Sequence, residues 1–152
     1  MSKDQSLPRG TLLGFDFGQR RIGVATGEID PATAAPLATV ACHQNTPDWA
    51  AIDKLIAEWR PVRLLVGLPH RADGTEGSMA PQCREFATAL GRRSGIAVEL
   101  VDESLSSRSA AAELREHRRS GRMQRRVRRG DTDRIAARLI VETWLANRTS
   151  CQ

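Results

Sequence analysis

TLLGFDFGQRRIGVATG, residues 11–27, decides how the rest of the chain is read. Thr11 to Phe17 is an apolar run broken by one acid, the pattern of a buried strand that ends in a carboxylate. Gly18 to Arg20 supply a tight turn, and Ile22 to Gly27 form a second strand. The stretch therefore predicts a hairpin with Asp16 near its tip.

The elements that follow build on that hairpin. Pro31 and Pro36 punctuate a loop, and Leu37 to Cys42 reads as a third strand. Pro47-Asp48 opens a helix to about Arg60, with Trp49, Ile52, Leu55, Ile56 and Trp59 at helical spacing on one face and Pro61 as its stop. Val62 to Leu68 is a nearly continuous apolar run, the mark of a strand covered on both faces. A polar, Gly-rich loop from His70 to Ser78 leads to a helix over 80–93, with Cys83, Phe86, Ala87 and Leu90 facing inward. Ile96 to Val101 is a strand that runs into Asp102-Glu103. Ser106-Ser107 can cap a helix over about 108–118. Residues 118–130 are nearly all Arg, Gly, Ser and Gln and read as mobile. Asp131 or Thr132 caps a last helix to about Asn147. The order β-β-β-α-β-α-β-α-α implies an α/β domain: a mixed five-stranded sheet with helices on its faces.

Composition narrows the class. The 152 residues amount to one domain and need no staple to hold a core. Cys42, Cys83 and Cys151 are far apart and form no CxxC pair, which argues against a disulfide framework or zinc site and fits a reducing cytoplasm. No apolar run approaches the roughly 20 residues of a membrane span, so no membrane partner is expected. Residues 1–10 are expected to be a disordered tail, 11–147 the domain, and 148–152 a second tail.

The net charge is +5, with 23 cations against 18 acids. Only Lys3 and Lys54 are lysines; the rest are arginines, the cation suited to bidentate phosphate contacts. The excess is not spread evenly. Residues 108–138 hold eleven arginines and four acids, a net +7, which leaves −2 for all the others. A basic segment beside a catalytic centre can grip nucleic-acid backbone. Arg122, Arg125, Arg126, Arg128 and Arg129 are its candidates, with Arg20 in the hairpin turn. No aromatics interleave with them, so stacking on bases is not indicated.

Three acids stand at element ends. Asp16 ends the first strand, Glu103 follows the last, and Asp133 opens the last helix. Carboxylates that converge repel one another unless a cation sits among them, and hard cations such as Mg²⁺ or Mn²⁺ take oxygen ligands. Two such ions activate water and stabilise the leaving oxygen in phosphodiester hydrolysis. Each acid could equally be a cap or a surface charge. Gly18, two residues after Asp16, leaves room for phosphate to approach the backbone, and Gly23 lets the second strand pass close to a neighbour.

Gly14 to Ala25, Val66-Gly67-Leu68-Pro69, Asp73-Gly74-Thr75-Glu76-Gly77, Asp102 to Ser107 and Asp133 to Leu145 together resemble the signature blocks of the bacterial YqgF family. Its members are described as pre-16S rRNA nucleases or Holliday junction resolvase-like proteins. The resemblance runs in order over about residues 10–147. It implies a ribonuclease H-like fold with strand order 3-2-1-4-5 and helices on both faces. It places the catalytic and metal-binding carboxylates on Asp16, Glu103 and Asp133. It implies a nuclease using Mg²⁺ or Mn²⁺, cytoplasmic, a monomer or weak homodimer, trimming the 5′ end of precursor 16S rRNA in ribosome biogenesis. There are departures: His70-Arg71 where the family has a small apolar residue and Asn, Ser104 in place of Arg, and Arg128-Arg129 where a Lys is common. Asp131 competes with Asp133 for the ligand role, and spacing to Ala136-Ala137 and Leu139-Ile140 favours Asp133. A DNA junction resolvase and a non-catalytic nucleic-acid-binding factor are the rival functions. A sugar-kinase-like phosphate loop is disfavoured, because 152 residues leave no room for a second lobe.

Overall fold

The first hairpin forms the centre of the sheet. In the computed structural model, which describes residues 9–44, 46–69, 79–102 and 129–150, β1 (Thr11–Phe17) pairs antiparallel with β2 (Arg21–Glu28) from Thr11 opposite Glu28 to Phe17 opposite Ile22. On its other side β1 pairs in parallel with β5 (Arg63–Leu68), and β5 in parallel with β6 (Val98–Asp102). β3 (Thr33–His43) lies antiparallel to β2 and carries β4 (Thr46–Pro47) on its far edge. The full order is β4-β3-β2-β1-β5-β6. The five expected strands stand in the order expected of them. The sixth, β4, is two residues long and too short to leave a periodic signal.

β3 begins four residues before the Leu37 start expected for it. Pro36 marked a loop in the sequence, yet it sits in this strand opposite Ala25, at a register shift that leaves Leu37 without an opposite residue. A bulge tolerates proline, which has no ladder N–H to give. Gly10, placed in the expected tail, already belongs to the fold: its carbonyl accepts from Ile29 N at 3.0 Å.

Three helices among the described residues cover the sheet. α1 (Trp49–Trp59) is capped by Asp48, whose side chain accepts from Ala51 N, and ends at Arg60 in the left-handed region at φ 48°. α2 (Ala80–Ser94) ends at Gly95, φ 73°, the conformation glycine adopts most easily. α3 (Arg129–Ser150) starts before the expected Asp131 or Thr132 cap and runs past the expected end at Asn147. Propensity is a weak guide where packing holds a helix, and Gly130 is carried in the first turn. The expected helix over 108–118 and most of the stretch expected to be mobile, 118–130, lie outside the described residues. No helix among those described is long and apolar enough to cross a membrane.

Strand alternation sorts the core into two layers. Leu13, Phe15 and Phe17 of β1 face α1 and α2 and pack with Ile22, Val24, Ile52 and Leu90. Phe15 is fully buried and meets the Phe86 ring edge-on at 5.8 Å; burial of one such side chain stabilises by roughly 1.5–3 kcal/mol. Leu12 faces the other way, into a layer with Ala25, Leu65, Val101 and the α3 residues Ala137, Ile140, Val141, Trp144 and Leu145. Gly14 and Gly27 share this face, and a Cβ on either would lie 2.6 or 2.5 Å from a Val141 methyl. The two glycines thus form a trough in which α3 lies.

The far end of α3 is held by charge. Arg63 is only 4% exposed, the one charged residue in a strand that otherwise reads as apolar. Its Nη1 donates to the Glu99 carboxylate on β6, and Trp144 Nε1 donates to the same Glu99 oxygen at 3.0 Å. Val62, expected to open this strand, stays outside it and is 39% exposed. Glu99→Ala removes the carboxylate facing a buried guanidinium and a buried indole. It is expected to cost about 3 kcal/mol, read as a lower urea midpoint at unchanged m-value.

Candidate active site

The parallel strands β1, β5 and β6 end at the same edge, at Phe17, Leu68 and Asp102. Asp16 sits one residue short of that edge. It follows Leu12 and Gly14 on the face covered by α3, as the two-residue strand period requires. Asp16 stands directly opposite Gly23 on β2, and opposed Cα atoms in an antiparallel pair are about 4.5–5.5 Å apart.

Gly23 then admits Asp133. A Cβ at Gly23 would lie 2.1 Å from the Asp133 carbonyl oxygen and 2.9 Å from the Asp133 Cβ. No side chain fits there, so the first turn of α3 lies on the bare backbone of β2. The close approach expected of Gly23 is real, but its partner is this helix, not a neighbouring strand. Two of the three acids read from the sequence are thereby brought to one place, with a single glycine between them.

Arg21 completes the arrangement. It precedes Gly23 by two residues on the same face, and its Nε donates to Asp133 Oδ2 at 3.0 Å. The two side chains keep 34% and 24% of their exposure, so the pair borders solvent. The sequence reading named Arg20 and overlooked Arg21, although the alternation that places Gly23 and Ala25 toward α3 places Arg21 there too. One residue on, Arg134 Nη1 donates to Thr39 Oγ1 of β3 at 3.3 Å and ties the helix to the next strand.

Arg20 is exposed and lines a shallow cleft with Gln19, His43 and Gln44 beside the turn. Its carbonyl accepts from Cys42 N at 2.9 Å. Burial pushes the Cys42 thiol up from its ordinary range, which disfavours the nucleophilic thiolate; Cys83 is buried as well. Both are buried in the core. Glu103, Arg122, Arg125, Arg126, Arg128 and the pair His70-Arg71 lie outside the described residues. Arg129 is the first residue of α3. Among the described residues no group of three or more His, Cys, Asp or Glu side chains forms a metal-binding cluster. Asp16 and Asp133, on either side of Gly23, offer carboxylate oxygens as donors. Oxygen donors are the ligand type that hard divalent cations take.

The sequence model of the family described as RuvX: Holliday junction resolvase matches residues 10–147. The chain belongs to the RuvX family. A relative from Dechloromonas aromatica that carries the name of a pre-16S rRNA nuclease is 45% identical over 135 residues, 89% of this chain and 90% of that one. One of the same name from Klebsiella pneumoniae is 43% identical over 135 residues, covering 89% and 95%. Among solved structures, RuvC of Thermus thermophilus superposes with a TM-score of 0.56 at 14% identity, covering 92% of this chain and 96% of that one. The RuvX-family chain thus has the ribonuclease H-like fold of RuvC, as the family resemblance implied.

Two glycine substitutions in the RuvX-family chain should move stability in opposite directions. Gly23→Ala places a methyl where the Asp133 backbone sits, and is expected to lower stability by about 1–3 kcal/mol as α3 is pushed off the sheet. Gly91→Ala, inside α2 with its nearest neighbour at 3.4 Å, is expected to raise it by about 0.5 kcal/mol through helix propensity. Paired urea titrations check both signs.

Proposed function

We propose that the protein is a divalent-metal-dependent nuclease that hydrolyses phosphodiester bonds in structured nucleic acid, with the 5′ end of precursor 16S rRNA in the cytoplasm as its substrate. The observation that carries the reading is the meeting of Asp16 and Asp133 across the bare backbone of Gly23. The names of the 45% and 43% identical relatives favour the rRNA substrate.

Asp16, Asp133 and Glu103 are the residues that would hold Mg²⁺ or Mn²⁺. β6 leads directly into Glu103, and Asp102 closes that strand opposite Leu68. When bound, the metal supplies Lewis-acid polarisation of the phosphate and lowers the pKa of an attacking water. The chain's own part is to hold the carboxylates before substrate arrives. Asp16 is fixed by a paired strand, Asp133 by the first turn of a helix seated on glycine, and Arg21 orients the Asp133 carboxylate. Such positioning carries much of the catalytic effect when charge develops on a phosphoryl group. Arg20, Arg122, Arg125, Arg126, Arg128 and Arg129 hold the flanking backbone through phosphate contacts, giving low base specificity. A monomer or weak homodimer suffices for cutting one strand.

The family description favours a second reading, a resolvase acting on four-way DNA junctions. A resolvase cuts two strands symmetrically and so needs a two-fold dimer.

Purified protein with Mn²⁺ is offered precursor 16S rRNA carrying its 5′ leader and, separately, a four-way DNA junction. Cleavage of the leader RNA and not of the junction is expected. Asp16→Asn and Asp133→Asn should each lower kcat about a hundredfold or more, since even outer-shell partners of metal ligands carry ten- to hundredfold effects. Full activity in either variant, or cleavage of neither substrate by the wild type, sinks the nuclease reading. Junction cleavage by a dimer selects the resolvase.

A further inference from the structure

The Arg21 guanidinium has five N–H donors in a planar fork. One of them, on Nε, is committed to Asp133 Oδ2 at 3.0 Å. Among the described residues the two terminal nitrogens have no partner, and the side chain is 34% exposed. A bond through Nε alone leaves the Nη1/Nη2 side of the plane available. Its direction is set by a helix that cannot move closer, because the Asp133 backbone already fills the space over Gly23. Charge-assisted, bidentate contacts of this kind suit phosphate oxygens. A second cation stands beside it: Arg20, in the β1–β2 turn, is exposed.

We propose that Arg21 is a phosphate-binding and positioning residue: its Nε holds the Asp133 carboxylate while its Nη pair receives a backbone phosphate of the nucleic acid next to the cleaved bond. This rests on the nuclease reading only for the word "cleaved"; the phosphate contact stands or falls by itself. The arrangement couples two tasks. Substrate docking on the terminal nitrogens stiffens the guanidinium, and the stiffened guanidinium fixes Asp133. It also sets the sign of an Arg-to-Lys change. A lysine ammonium is a point donor on a flexible stem and cannot span a carboxylate and a phosphate in one plane. Arg21→Lys therefore keeps the charge and loses the bridge.

The test uses the full chain and binding without turnover. Fluorescence anisotropy measures affinity for a stem-loop RNA in EDTA as a function of salt, for wild type, Arg21→Gln, Arg21→Lys and Arg84→Gln. Arg84 is an exposed residue of α2, on the opposite side of the sheet. One lost phosphate contact lowers the magnitude of the slope of log K against log salt by about 0.9 for duplex and 0.7 for single strand. Arg21→Gln is expected to show that drop, with about tenfold weaker binding. Arg21→Lys should keep most of the slope. In Mn²⁺ it should still lower kcat more than it raises KM, because Asp133 is no longer held. Arg84→Gln should change neither. Circular dichroism and a urea midpoint verify that each variant folds. An unchanged slope in folded Arg21→Gln, or a slope change equal to that of Arg84→Gln, overturns the proposal. Should the wild type bind with an Arg21-dependent slope yet cleave nothing in Mn²⁺, the nuclease reading fails and the phosphate contact survives. Should the wild type cleave and Asp133→Asn abolish cleavage while the Arg21→Gln slope is unaltered, only the present inference fails.

Discussion

The absence of a side chain at Gly23 is the constraint on which the candidate site depends. An ordinary residue there would collide with the Asp133 backbone at 2.1 Å, and the first turn of α3 would have to lift from the sheet. With that turn lifted, Asp133 would leave the neighbourhood of Asp16, and Arg21 would lose its 3.0 Å bond. The same helix is seated midway by the Gly14 and Gly27 trough around Val141 and held at its far end by Glu99 and Trp144. Close packing tolerates few intermediate positions, so a helix fitted at three points along its length holds its terminal acid in one place.

The two faces of the sheet divide the labour. The α1 and α2 face is an ordinary aromatic and aliphatic core, with Phe86 between Phe15, Phe17 and Trp49. Arg93 of α2 forks onto Asp53 of α1 at 2.8–3.1 Å and lies over the Trp49 ring. The pair with Asp53 holds the Arg93 proton above its ordinary range, though both groups are exposed and such pairs add little stability. The α3 face carries the glycines, the acids and the buried Arg63. The candidate site thus lies on one side of the strands, at the end of the core layer that α3 covers.

Much of this was legible in the chain because the signals were local. The hairpin, the end of α1 before Pro61, the inward face of α2 and the strand order follow from periodicity, punctuation and family blocks. Asp16 and Asp133 were singled out as candidates because they read as standing at element ends. What escaped was set by distant contacts. Arg21 looks like one more surface arginine until α3, 112 residues away, arrives beside it. Arg63 looks like an interruption in an apolar strand until Glu99 is placed across from it. Pro36 looks like a loop marker until the bulge at Leu37 gives it an edge position. β4 is two residues long and has no periodicity to detect.

The long separation between Arg21 and Asp133 also bears on when the site comes into being. The entropy of closing a 112-residue loop is about 4 kcal/mol on the (3/2)RT ln n scale. The burial of Ala137, Ile140, Val141, Trp144 and Leu145 against the sheet offsets such a cost. The hairpin and the strands that flank it are joined by shorter loops, so in a chain emerging from the ribosome they precede the helix. The carboxylate pair is therefore assembled by the last-synthesised of the described elements. A partly made chain would have a sheet edge with one acid and no partner for it, and the two halves of the site would meet only once synthesis had passed α3. The two acids meet only when α3 has been made and has docked on the sheet.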